Sequence, residues 1–190
     1  MTAFLRLAQR SHCDPDNMIH LVHPKSDMPM RSPVTRSLRD HWLTLRTRNG
    51  LPDWKDFDPV AVPNLLPHLI VVECLADPMR FRFRLIGTFV TTMAGRNATG
   101  RMLDAELYGD RLEAMTWHYR QCAETAEPLA TLGTVHFVDR DWVVAEHVFL
   151  PFGTADGTVN IIMAGLDTLD GTAWLSGYSH EIEPTLDWRA

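Results

Sequence analysis

The sequence predicts an α+β domain: a five-stranded antiparallel sheet with helices on one face and an N-terminal helix flanking it. Two observations carry this. Arg80-Phe-Arg-Phe-Arg-Leu85 alternates strictly, the signature of a half-buried strand. Leu112, Met115, Tyr119, Cys122 and Ala126 recur at helical spacing between two β-rich runs and three more. The resulting order is β-β, helices, β-β-β.

Taken in order, residues 1–31 contain Asp14-Pro15, His23-Pro24 and Met28-Pro29 without sustained periodicity, and read as a flexible arm. Ser32-Pro33 is a helix start, an N-cap residue followed by proline at the first helical position. Val34, Leu38, Trp42 and Leu45 then form one apolar stripe, and Asn49-Gly50 with Pro52 stops the helix at about residue 48. Pro52, Pro59, Pro63 and Pro67 make 51–68 a turn-rich connector. Residues 69–74 and 80–85 are predicted strands of a hairpin turned by Ala76-Asp77-Pro78. A short helical turn follows at 87–95. Asp110 with Glu113 reads as a capping box for the long helix, which stops before Pro128. The last three strands are expected at 129–138, 142–151 and 157–167, joined by turns at Asp139-Arg140 and Asp156-Gly157. Residues 69–168 form the domain, 32–68 its flanking helix and connector, and 169–190 an extension.

Composition narrows the function. The 190 residues are 45% hydrophobic and 22% charged, an ordinary globular balance. No apolar run approaches the roughly 18 residues that span a bilayer. Arg6 interrupts the only apolar stretch at the start, so no signal peptide is read there. Three widely separated cysteines, Cys13, Cys74 and Cys122, argue against a disulfide framework and for the cytoplasm. Residues 1–56 carry nine Lys/Arg against six Asp/Glu, and the remainder nine against eighteen. An acidic body repels phosphate backbones, so nucleic acid is not the expected partner.

The element order, Arg82-Phe-Arg-Leu-Ile-Gly-Thr88 and Gly95-Arg-Asn-Ala-Thr-Gly100-Arg101 together resemble a PAS domain. A leucine-proline connector, Asp58-Pro59 to Leu65-Leu66-Pro67, and Leu150-Pro151 closing the fourth strand are similar to a bacterial family of stand-alone PAS proteins. The resemblance spans residues 34–168. It implies a non-enzymatic sensory module that binds a small molecule or a partner protein, by analogy a histidine kinase or other regulator. It also implies a homodimer, since PAS domains that pair commonly pack such a flanking helix across the sheet of a second copy.

Candidate residues follow from strand parity. Phe81, Phe83, Leu85, Val143, His147 and Phe149 are placed opposite Met115, His118 and Tyr119 of the long helix, where a ligand pocket is expected. Val34, Leu38, Trp42 and Leu45 are expected to meet Trp142, Val144 and Val148 on the outer face as an interface. There Glu73 and Glu146 are expected to compensate Arg82 and Arg84. No catalytic signature such as a phosphate loop or nucleophile elbow is present. The alternative is a small enzyme on an α+β cone with His136, Asp139, Asp141 or His147 as acid or base, although two strands precede the helices here.

No cofactor is predicted, and haem and flavin are left open. His118 stands on the helix that carries the axial ligand in haem-binding PAS domains, but an edge-of-core imidazole explains it equally well. Gly95-Arg-Asn-Ala98 resembles the flavin motif of photosensory PAS domains with alanine at the reactive cysteine position. Cys74 and Cys122 read as small buried hydrophobes. His12, Cys13, His20 and His23 match no metal-site spacing, so no metal is predicted.

Overall fold

The computed structural model describes residues 19–21, 30–46, 50–134 and 143–169. One antiparallel sheet organises them. Its strands are β1 (Ile19–Leu21), β2 (Leu69–Leu75), β3 (Arg80–Ile86), β4 (Leu129–Thr134), β5 (Val144–Gly153) and β6 (Val159–Leu169), in spatial order β1-β4-β5-β6-β2-β3. The five expected strands are present. A sixth, β1, lies in the segment expected to be an irregular arm and pairs with β4.

The helices are α1 (Pro33–Leu45), α2 (Thr88–Ala94), α3 (Ala105–Tyr108) and α4 (Leu112–Thr125). Ser32 caps α1, its hydroxyl accepting from the amides of Val34 (3.0 Å) and Thr35 (3.3 Å). The helix ends at Leu45, earlier than Asn49-Gly50 suggests. The capping box at Asp110 and Glu113 does not form. Asp110 is taken up in a 3-10 turn, Gly109–Arg111, and no side chain caps α4. The carboxylate that does cap in this region is Asp104, which accepts from the amide of Leu107 at the start of α3 (3.1 Å).

Two apolar clusters sandwich the sheet. On the inner face Ile70, Val72, Phe81, Phe83, Ala145 and Phe149 pack with Tyr119 and Cys122 of α4. On the outer face Leu69, Val71, Val148, Leu150 and Met163 pack with Leu38 and Trp42 of α1. The helix comes very near the sheet at Gly165, where a Cβ would lie 2.3 Å from Leu38 Cδ1 and 3.3 Å from Val148 Cγ1. Only a residue without a side chain lets α1 sit this near β6. The β5–β6 turn is the expected one: Gly157 takes φ 86° and Asp156 accepts from the Thr158 amide (3.0 Å). Three 3-10 turns, Trp54–Asp56, Pro59–Ala61 and Pro63–His68, carry the proline-rich connector around the outer face to β2.

Candidate functional site

The inner face gathers most of the residues expected to line a pocket. Phe81 and Phe83 reach it from β3, His147 and Phe149 from β5, and His118 and Tyr119 from α4. The rings contact each other directly. Tyr119 meets Phe149 edge-on at 5.2 Å and Phe81 at 5.7 Å. His118 lies parallel to Phe149 at 5.3 Å, with 5° between the planes, and His147 stacks on the same ring at 6.0 Å. Phe149 is thus the common partner of two imidazoles from different elements. Val143 packs against the edge of this cluster.

Burial sets the protonation of the site. The His147 imidazole is pushed down to about 4, so it is neutral at neutral pH. Burial raises Tyr119 and, on the rim, Tyr108, whose ring also receives the Arg96 guanidinium at 5.3 Å. The same cause pushes Cys74 up to about 12 and raises Cys122. Both are protonated thiols that pack as small hydrophobes, and Ala98 is a buried core residue. Among the described residues, the position that carries the reactive cysteine in the flavin motif is the buried Ala98.

Two of the expected lining residues sit elsewhere. Leu85 does not share the face of Phe81 and Phe83. Val71 pairs with Leu85 but Val72 pairs with Phe83, so Arg84 is an extra residue that flips the alternation. Leu85 emerges on the outer face, 45% exposed. Met115 is half-buried and outside the ring cluster. His136, Asp139, Asp141 and Trp142 lie outside the described residues, as do His12, Cys13 and His23; of His20 only the backbone, in β1, is described.

The outer face departs from expectation in the role of Glu146. Glu73 does compensate the arginines, accepting from Arg82 Nε (2.7 Å) and Nη2 and lying 3.9 Å from Arg84. Glu146 does not, because β6 and β2 separate β5 from β3. It is 2% exposed and accepts from the amides of Arg31 (2.8 Å) and Ser32 (3.1 Å) and from the Thr35 hydroxyl. Directly opposite on β6 is Asp167, which accepts from the Ser32 hydroxyl (2.7 Å). Two facing carboxylates would repel. The amides at the start of α1 offset that, since a helix N-terminus is electropositive. His68 adds to the same corner. Its Nδ1 donates to the Leu166 carbonyl (2.9 Å) and its ring stacks on Phe89 at 4.3 Å. Sequence periodicity marks none of this, because the corner joins residues about a hundred or more positions apart.

Val34, Leu38, Trp42 and Leu45, expected as an interface, cover the chain's own sheet. Leu38 and Trp42 are fully buried there with Val148, and Trp42 Nε1 donates to the Pro151 carbonyl (2.9 Å); Val144 is buried but is not part of this cluster. A homodimer built on this stripe therefore requires α1 to exchange onto a second copy.

With this arrangement in place the chain can be compared with known proteins. The sequence model of the PAS domain family matches residues 30–166, well over half of the chain. The chain belongs to the PAS domain family. Its match begins at Met30, so the α1 clamp falls within the PAS-matched region, as do both faces of the sheet. Two solved structures are similar to this PAS chain. A light-oxygen-voltage domain studied with a flavin analogue is 13% identical, covers 63% of this chain and 93% of its own, and superposes with a TM-score of 0.43. An RNA-binding light-oxygen-voltage receptor is 14% identical, covers 83% of this chain and 40% of its own, at a TM-score of 0.42. No curated protein matches the sequence. No helix among the described residues is long and apolar enough to cross a membrane.

Proposed function

We propose that this PAS chain is a non-enzymatic regulatory module that acts by associating with a partner protein, for example a histidine kinase or another regulator. A small ligand entering between α4 and the sheet biases that association. The observation supporting this reading is the dual role of β5. His147 and Phe149 face the ring cluster, while the alternate residues Glu146 and Val148 hold α1 on the other side. A ligand that displaces the Phe149 ring necessarily strains the strand that anchors α1. Ring stacking is worth about 0.5–1.5 kcal/mol per pair, small enough for a ligand to replace.

The test is partner capture with wild type, Phe149→Leu and His147→Gln, each first shown to be folded by circular dichroism. The reading expects one protein retained by wild type and depleted with both variants, together with a small molecule released on denaturation and seen by mass spectrometry. Equal retention by all three would remove the inner face from the mechanism.

A further inference from the structure

The outer face carries a groove, separate from the ring cluster. A groove of about 660 Å³ opens where the 3-10 turns meet the β2–β3 hairpin, within the range of small-molecule sites. Trp54, Phe57, Leu66, Leu69, Leu85 and Arg84 line it. Its wall is already organised. Trp54 stacks on Phe57 at 5.0 Å, and both rings lie edge-on to the buried Phe152. The Asp53 carboxylate caps the turn that carries them, accepting from the Lys55 amide (3.0 Å).

Two features call for an occupant. The bulge at Arg84 turns Leu85 into this groove instead of the core and leaves its side chain in water. Arg84 itself stands with its guanidinium 5.8 Å over the Trp54 ring, half exposed. Its nearest carboxylate, Glu73, is committed to Arg82 and approaches Arg84 only to 3.9 Å. A half-exposed cation that shares its carboxylate with Arg82 thus borders a mostly apolar surface. We infer that the groove binds a small amphipathic carboxylate, its apolar body against Trp54, Phe57 and Leu85 and its head on Arg84. A guanidinium suits that head because its planar fork matches a carboxylate.

Decanoate and decanol are the probes, titrated into the full chain and followed by NMR and calorimetry. Saturable decanoate binding is expected in wild type, with decanol weaker. Arg84→Gln should weaken decanoate about tenfold, the effect of one charge-assisted hydrogen bond, and leave decanol unchanged. Leu85→Glu should abolish both. The two positions are half exposed, so the variants should fold, and circular dichroism checks this. No saturable binding in wild type overturns the proposal. So does decanoate binding that neither variant changes, since the probe then sits elsewhere. Light scattering on the same samples covers the remaining occupant: a dimer lost in Leu85→Glu without decanoate binding gives the groove to a second copy and also overturns it.

Discussion

On its inner face β5 presents Ala145, His147 and Phe149 to a layer of rings; on its outer face it presents Val148, Leu150 and Glu146 to one helix. The inner contacts are stacked and edge-on rings, which have shallow orientation dependence and tolerate rearrangement. The outer contacts include directed hydrogen bonds: three donors converge on Glu146 and a fourth joins Ser32 to Asp167. A face of rings can change partners. A face pinned by buried hydrogen bonds holds its helix in one register, because a donor left unpaired there is expensive.

Substitutions can break or sharpen that contrast. The largest effect is expected from Trp42→Ala, which empties a fully buried site and removes the hydrogen bond to the Pro151 carbonyl. Urea denaturation should show a loss of about 3–5 kcal/mol. Glu146→Ala should follow at about 2–3 kcal/mol, as several buried donors lose one charged acceptor. If Glu146→Ala leaves the urea midpoint unchanged, the outer face is held by apolar contact alone.

The inner face is probed by acid. His147 has its pKa lowered by burial, so the folded form binds its proton later than the unfolded form. Stability is therefore unaffected above about pH 6.5 and falls progressively as pH drops toward 4. His147→Gln should flatten that part of the acid-unfolding curve, beside a pH-independent loss of about 0.5–1.5 kcal/mol from the ring contact with Phe149. The smallest effect is expected from Arg82→Gln. Its ion pair with Glu73 is half exposed, and thermal unfolding should move by no more than about 1 kcal/mol.

The sequence shows the element order, the α1 stripe and the inner faces of β3 and β5, because each rests on a period within one segment. It hides whatever depends on partners far along the chain. Leu85 continues the alternation of Phe81 and Phe83 perfectly, yet a bulge reverses it, and no residue type in 80–86 marks the extra position. Glu146 looks like a counter-ion for arginines until the strand order is known. Then β6 and β2 stand between them, and its donors are the Thr35 hydroxyl and two backbone amides, the latter without a sequence signature. Asp110 and Glu113 have the spacing of a capping box, but Gly109–Arg111 forms a 3-10 turn in its place.

The docking of α1 also has a consequence for biosynthesis. Its stripe is synthesised well before the strands that cover it. Trp42 waits for Pro151, 109 residues later, and Leu38 for Gly165. At about 5–20 residues per second the ribosome needs roughly 5–20 s to supply that surface. During this interval the nascent chain displays Leu38 and Trp42 without the β5 and β6 residues that bury them. That is the window in which a chaperone, or a neighbouring nascent copy on the same message, can reach the helix first.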